Sequence, residues 1–204
     1  MTVVHLFMAW LDSALLSSMI VLWIGRRFEL GSVYLKIGVA IASIVTLIPV
    51  HGLSLFMYAW SIIGDLSLTS KTYLVAWLLY RLGGPVVTDM KEVGKVMLGI
   101  TVIGLVFYPL SLGLTSFDPY STGYSASILI VLTVILLVYG LRNGYLVLSA
   151  SMLLALWAYL LGLMESDNLF DYLLDPMLFL YAAGFTCVTL LRNLKAIKTA
   201  GRNP

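Results

Sequence analysis

The chain has 204 residues, of which 61% are hydrophobic and 11% are charged, and its net charge is +2. A soluble domain usually carries about 25% charged residues, so this composition excludes a domain that folds in water alone. The one cysteine, Cys187, excludes an internal disulfide and a multi-cysteine metal site, and the two histidines are too few for a histidine-only catalytic zinc site.

Seven apolar runs approach the length of a membrane span. A span needs about 20 apolar residues, because roughly 30 Å of hydrocarbon is crossed at about 1.5 Å per residue. The runs cover residues 3–25, 37–57, 66–82, 96–114, 126–141, 145–164 and 177–191. They predict an all-α, polytopic integral membrane bundle of about seven transmembrane helices, folded as a single transmembrane domain over residues 1–204. No basic segment precedes the first run, which is therefore interpreted as a retained helix and not as a signal peptide.

The basic residues test this count, because connectors alternate between the two sides of the membrane. With seven spans, eleven of the twelve basic residues fall on one side, and only Lys71 falls on the other. The eleven are Arg26, Arg27, Lys36, Arg81, Lys91, Lys95, Arg142, Arg192, Lys195, Lys198 and Arg202. Lysine and arginine mark the cytoplasmic side, so the N-terminus is predicted outside and the C-terminus in the cytoplasm. The alternative is six spans with the third run re-entrant, because that run contains Lys71 and Arg81.

Most acidic residues fall on the predicted outer side, and several lie in the connector ESDNLFDYLLDP, residues 165–176. Asp167, Asp171 and Asp175 are four residues apart, which predicts one face of a short helix in the membrane interface, with its apolar side toward the acyl chains. Ser166 or Asp167 is expected to cap that helix. Asp175, followed by proline, is expected to cap the last span.

Two interpretations of the outer acids follow. The structural one is a solvated polar face, which is what charge runs usually form. The functional one is a cation site or a docking surface for a basic partner, since carboxylate oxygens are hard ligands. Its candidate residues are Asp118, Glu165, Asp167 and Asp171.

Ionisable residues within the runs are candidates for an ion or ligand pathway. Asp12 lies nine positions into the first run, where a charge costs about 2.5–3.5 kcal/mol on insertion scales. The structural alternative is an Asp12 that is protonated or hydrogen-bonded and only fixes packing. His51 follows Pro49, which is expected to kink the second run and open a polar cavity to the outside. Lys71 is expected to pair with Asp65 or Asp12, or to extend toward the lipid headgroups.

No catalytic motif, phosphate-binding loop or metal-binding pattern is present in the sequence, so no catalytic residue, metal or cofactor is assigned.

The first hypothesis is a non-enzymatic accessory or scaffold component of a cell-envelope assembly. It would lie in the lipid bilayer of a bacterial inner membrane, and its acidic outer face would dock another membrane protein or a lipid-linked substrate. The second is a small ion or amphiphile carrier that uses Asp12, His51, Lys71 and Asp65. The third is a lipid-modifying enzyme with outer carboxylates as acid, base or metal ligands. The basic tail is too short to indicate nucleic-acid binding.

Overall fold

The computed structural model describes residues 2–87 and 89–200, with side chains as far as residue 196. Its helices are α1 (Val3–Arg27), α2 (Ser32–Val45), α3 (Leu55–Ile63), α4 (Leu68–Arg81), α5 (Met90–Pro109), α6 (Ser127–Asn143), α7 (Leu146–Leu160), α8 (Leu169–Leu173) and α9 (Pro176–Ala200). A two-stranded antiparallel hairpin, β1 (Pro49–Val50) and β2 (Leu53–Ser54), separates α2 from α3. A π-helical turn, Leu110–Leu114, extends α5, and a 3₁₀ turn, Tyr120–Gly123, precedes α6.

Among the described residues, three helices are long and apolar enough to cross a membrane. They are α1, α5 together with its π-helical turn (Met90–Leu114), and the first 21 residues of α9 (Pro176–Ala196). The predicted all-α fold is confirmed, and the length and composition of these three helices are compatible with a membrane protein. The other apolar helices are shorter: α2, α6 and α7 have 14, 17 and 15 residues. At about 1.5 Å per residue they are shorter than the roughly 30 Å of a hydrocarbon core.

Contacts between helices define two opposite directions in the bundle. Gly38 of α2 packs against Val21 of α1, while Gly25 packs against Leu35, so α1 and α2 are antiparallel. Gly104 of α5 packs against Phe179 of α9. Three further pairs also join antiparallel segments: Thr101 with Thr186 (α5 and α9), Gly140 with Ser149 (α6 and α7), and His5 with Gly162 (α1 and the residues after α7). By contrast, Ser67 contacts Asp175 at the starts of α4 and α9, so these two helices run in the same direction. Thus α1, α4, α6 and α9 run one way, and α2, α5 and α7 run the other.

This arrangement gives the bundle two chemically different ends. The acidic end holds the starts of α1, α4, α6 and α9 together with the connectors that contain Asp65, Asp118, Glu165, Asp167, Asp171 and Asp175. The basic end holds Arg26, Arg27, Lys36, Arg81, Lys91, Lys95, Arg142, Arg192 and Lys195. The side chain of Lys198 and the whole of Arg202, which were predicted on the same side, lie outside the described residues.

The second apolar run is not a single helix, contrary to the prediction for residues 37–57. It begins earlier, at Ser32, and is interrupted after Val45. Pro49 lacks the backbone N–H that a continuous helix requires. His51 and Gly52 both have positive φ angles, +49° and +89°, which is the pattern of a two-residue type I′ hairpin turn. The expected kink near Pro49 is therefore a complete break.

The acidic connector also differs from the prediction. Its helix, α8, contains only five residues and begins after Asn168, whose Oδ1 accepts a hydrogen bond from the Phe170 N–H at 2.9 Å. Asp167 precedes this helix and Asp175 follows it, so the three aspartates do not share one helical face. Leu169 and Tyr172 are buried in a core with residues of α4 and α7 and do not face acyl chains.

Candidate functional site

Buried polar residues meet at the start of α4, close to the acidic end. Ser67 caps the helix, and its Oγ accepts a hydrogen bond from the Ser70 N–H at 3.1 Å. Residues 66 to 71 are all buried, although they directly follow the exposed Gly64 and the half-buried Asp65. The first turn of α4 leaves backbone N–H groups without helical partners, so this buried segment needs acceptors from elsewhere in the chain.

Asp175 supplies those acceptors and joins the starts of two helices. Its Oδ1 accepts a hydrogen bond from the Leu178 N–H at 2.8 Å, as expected for the cap of α9. Its Oδ2 accepts from the Ser67 N–H at 2.9 Å, from the Ser67 hydroxyl at 2.6 Å and from the Ser70 hydroxyl. Both helix dipoles place positive partial charge at this carboxylate. The buried Asp175 carboxyl group is therefore satisfied by hydrogen bonds from the starts of both helices.

Asp12 and Lys71 form a buried ion pair one turn further into the bundle. Lys71 Nζ lies 3.0 Å from Asp12 Oδ1, and each side chain is 4% exposed. Leu66 is held by both partners, because its N–H donates to Asp12 Oδ2 at 3.1 Å and its carbonyl accepts from Lys71 Nζ. Of the two partners predicted for Lys71, Asp12 is the one with which it forms an ion pair. The alternative that Lys71 extends to the headgroups is wrong, because its side chain is buried.

The other candidates of the predicted pathway lie elsewhere. Asp65 accepts a hydrogen bond from Trp60 Nε1 at 2.9 Å and is half-buried. His51 is exposed in the hairpin turn, and it has no part in the hydrogen bonds of Asp12 or Lys71 that the structure describes. The positive φ of His51 has a local explanation, since the turn requires it and histidine adopts such angles more often than most residues. Thus the structure pairs Asp12 with Lys71 but does not bring His51 to them.

An open cavity of about 550 Å³ lies at the acidic end. Four carboxylates line it, and we call it the acidic cavity: Asp65, Glu165, Asp171 and Asp175. Trp60, Met164 and Leu174 supply apolar surface, and no lysine or arginine is among the lining residues in the part of the chain that the structure describes. Leu66, which is hydrogen-bonded to both Asp12 and Lys71, directly follows the lining residue Asp65. The Asp12–Lys71 pair is therefore connected to the wall of this cavity through Leu66.

Hydrogen bonds from the neighbouring connector hold one side of the acidic cavity. The Tyr120 hydroxyl donates to Asp171 Oδ2 at 2.8 Å, and the Ser166 hydroxyl donates to the same oxygen. Burial raises the pKa of the Tyr120 hydroxyl above its usual value, and its hydrogen bond to the Asp171 carboxylate raises that pKa further. Asn168 Nδ2 donates to the Tyr120 carbonyl at 2.8 Å. These contacts fix Asp171 in place, whereas Glu165 is exposed.

Two of the four predicted docking residues are not part of the acidic cavity. Asp118 is exposed, and its Oδ1 accepts from the Tyr120 N–H at 2.9 Å, which is a local turn contact. Asp167 is exposed on the connector before α8. Of the predicted set, Glu165 and Asp171 line the cavity. They are joined there by Asp175, which was assigned only a capping role, and by Asp65, which was assigned to the pathway.

Glu92 is a buried structural residue that the sequence analysis did not identify. It lies in the first turn of α5, is 2% exposed, and accepts a hydrogen bond from the Leu148 N–H at 3.1 Å. Leu148 belongs to the first turn of α7, so the Glu92 side chain links the first turn of α5 to that of α7. The signal was present, since an acidic residue in the first turn of an apolar helix suits the helix dipole.

Within residues 2–87 and 89–200, no group of three or more histidine, cysteine, aspartate or glutamate side chains is placed to hold one metal ion. The carboxylates of the acidic cavity are thus spread around its wall and do not converge on one point.

No protein-family model matches the chain, and no curated protein or solved structure with significant similarity was found. Its function is therefore argued from the geometry of the two ends of the bundle.

Proposed function

We propose that this protein is a non-enzymatic component of a membrane assembly that docks a cationic segment of a partner membrane protein in its acidic cavity. The proposal includes a seven-pass topology in a bacterial inner membrane, with the acidic end outside and the basic end in the cytoplasm. The single observation that carries the docking function is the lining of the acidic cavity, which contains four carboxylates and, among the described residues, no lysine or arginine.

The alternation of helix directions supports the topology. A chain that crosses seven times must reverse at each connector, and α1, α2, α4, α5, α6, α7 and α9 alternate in this way along the sequence. The shorter helices are compatible with spans, because the hairpin and α3 add length to the second crossing, and connectors or local bilayer thinning complete others. The nine basic side chains at one end agree with the usual enrichment of lysine and arginine on the cytoplasmic side.

Cysteine labelling tests the topology. In a Cys187→Ser background, Ser116→Cys places a single thiol at the acidic end and Asn143→Cys places one at the basic end; both positions are exposed. A membrane-impermeant thiol reagent should label position 116 in intact cells and position 143 only after lysis. Labelling of position 143 in intact cells, with position 116 protected, would reverse the orientation and remove the external docking site.

Electrostatics favours a basic protein segment as the occupant of the acidic cavity. Carboxylates that face an open cavity create a negative potential, which attracts lysine and arginine and excludes acidic partners. Trp60 in the wall adds an aromatic surface on which the stem of such a side chain can pack. The cavity volume of about 550 Å³ admits a few side chains, which is appropriate for the anchor residues of a larger interface.

Co-purification tests the docking function. Wild-type protein extracted in mild detergent should carry a stoichiometric partner, and Glu165→Lys should remove that partner. Glu165 suits this test because it is exposed, so that its substitution should leave the fold intact. Asp167→Lys is the matched control, since Asp167 lies on the same connector but outside the cavity. A monodisperse wild-type protein without a partner, or equal loss of the partner in both variants, would overturn the proposal.

A carrier function is the second candidate, because Leu66 connects the buried Asp12–Lys71 pair to Asp65 in the wall of the acidic cavity. Ionisable groups at membrane depth often mark ion pathways. Asp12→Asn should then abolish ion uptake by proteoliposomes while the variant still folds. Uptake that Asp12→Asn leaves unchanged would exclude this role. The exposed position of His51 removes it from such a pathway.

A further inference from the structure

Arg81 occupies an unusual position at the basic end, where α4 stops. Its guanidinium carbon lies 5.1 Å from the centre of the Trp77 ring and 6.0 Å from that of the Tyr80 ring. Both distances are within the range of cation–π contact. The side chain is half-buried, so the two rings restrain its guanidinium in a preferred orientation.

The groups around Arg81 do not neutralise its charge. The ionisable neighbours that act on it are Arg26, Tyr80 and Tyr181, and none of these is a carboxylate. Among the described side chains, the ion pair between Lys71 and Asp12 is the one found in the structure. Arg81 is therefore close to a second arginine in a partly buried setting, and none of the described side chains forms an ion pair with it.

The geometry of α1 and α4 explains why Arg26 and Arg81 are neighbours. The two helices run in the same direction and are joined by the Asp12–Lys71 contact. From that contact, Arg81 is about 15 Å along α4 and Arg26 about 21 Å along α1, at roughly 1.5 Å per residue. The two arginines therefore lie at similar levels, about one helical turn apart along the bundle, and the Arg81 side chain lies beside the rings of Trp77 and Tyr80.

We propose that the basic ends of α1 and α4 bind the phosphate group of an anionic phospholipid, with Arg81 as the principal ligand and Arg26 as the second positive charge. A planar guanidinium matches two phosphate oxygens and forms paired, charge-assisted hydrogen bonds. Tryptophan and tyrosine rings are favoured at the level of lipid headgroups, and basic pockets between membrane helices bind anionic headgroups. This site is at the opposite end of the bundle from the acidic cavity and does not depend on the docking function.

Native mass spectrometry tests the lipid site on the full-length protein. Wild-type protein released from nanodiscs of mixed phosphatidylglycerol and phosphatidylcholine should retain phosphatidylglycerol in preference to phosphatidylcholine. Arg81→Gln should weaken this retention about tenfold or more, because it removes charge-assisted hydrogen bonds. Arg26→Gln, at an exposed position that does not threaten the fold, should weaken it to a smaller extent. Arg142→Gln is the matched control, since Arg142 lies in the last turn of α6 at the same end of the bundle.

Three outcomes would overturn the proposal. Equal retention of phosphatidylglycerol by wild type, Arg81→Gln and Arg26→Gln would exclude a site at these residues. Equal loss in Arg142→Gln would show that only the general positive charge of the basic end matters. Displacement of the lipid by inorganic phosphate at millimolar concentration would identify a site for the free anion instead. Retention in wild type and Arg142→Gln, with loss in Arg81→Gln and no competition by phosphate, is the expected result.

Discussion

Lys71 Nζ and Asp12 Oδ1 are 3.0 Å apart, and these two residues link α1 to α4 by opposite charges that are almost completely hidden from the surface. Each partner is expensive to bury alone, so the pair is stable only as a unit. Removal of one partner of a buried pair typically costs about 3–5 kcal/mol, whereas joint replacement by apolar residues is often nearly neutral.

This relationship predicts strong coupling between the two positions. Asp12→Leu and Lys71→Met should each lower the free energy of unfolding by about 3–5 kcal/mol, while the double variant should lose much less than the sum. Reversible unfolding in mixed micelles, arranged as a double-mutant cycle, measures the coupling. Additive losses would mean that the two charges do not stabilise each other. Asp118→Leu, at an exposed turn, should leave stability within about 0.5 kcal/mol of wild type.

Asp175 is expected to be the most sensitive residue of the acidic connector. Asp175→Asn places an amide group where one carboxylate now accepts hydrogen bonds from Ser67 and Ser70 as well as from the start of α9. The variant should lose roughly 2–4 kcal/mol, because more than one buried donor loses its acceptor. Asp167→Asn is the control on the same connector. The same unfolding measurement should find it near wild type, and equal effects of the two variants would contradict the assigned role of Asp175.

We expect His51 to stabilise the hairpin turn only through its positive-φ backbone conformation. His51→Asn should leave the melting temperature unchanged or raise it, because Asn-Gly is a favoured type I′ sequence. His51→Val should lower stability by about 1–2 kcal/mol, since a β-branched residue is disfavoured at positive φ. Thermal unfolding of both variants separates this role from a chemical one. A loss in His51→Asn as large as that in His51→Val would indicate that the imidazole itself makes a required contact.

Two glycines of α5 should respond oppositely to alanine. A Cβ at Gly104 would overlap the ring of Phe179 on α9, whereas a Cβ at Gly99 meets nothing within 4 Å. Gly104→Ala should therefore destabilise the protein by about 1–3 kcal/mol through overpacking. Gly99→Ala should be neutral or stabilising by up to about 1 kcal/mol, because alanine favours the helix. Unfolding free energies measured side by side check this, and an equal gain in both variants would mean that α5 and α9 are not closely packed.

Stability should fall at alkaline pH in a way that depends on Tyr120. Its pKa is raised in the folded state by burial and by the hydrogen bond to Asp171, so the folded chain holds this proton more tightly than the unfolded chain. This contribution to the free energy of unfolding is fully present below the ordinary tyrosine pKa of about 10. It is lost as the pH rises toward the pKa that Tyr120 has in the folded state. Above about pH 10, the melting temperature of wild type should therefore fall more steeply than that of Tyr120→Phe. Tyr34→Phe, which removes an exposed phenol, should follow wild type, and identical slopes in all three proteins would exclude the effect.

Local signals in the sequence predicted a substantial part of the fold. The apolar runs located α1, α5 and α9 as helices that can cross a membrane, because hydropathy is a property of each segment. Asp175 followed by proline marked the start of α9, because a capping aspartate and the restricted φ of proline act within one turn. Pro49 and Gly52 marked the place where the second run breaks, but not the hairpin that replaces the helix there.

The sequence alone therefore determined a helical membrane protein with its basic residues at one end, because hydropathy and charge are set residue by residue. Only the tertiary structure decided which buried polar groups meet. The Leu66–Asp12, Ser67–Asp175 and Leu148–Glu92 hydrogen bonds join residues 54, 108 and 56 positions apart in the chain. Such partners are selected by the packing of whole helices, since a buried donor or charge must find a complement wherever the fold brings one within reach. The acidic cavity has the same origin, because its four carboxylates come from two connectors that approach each other only when α3, α8 and α9 are assembled.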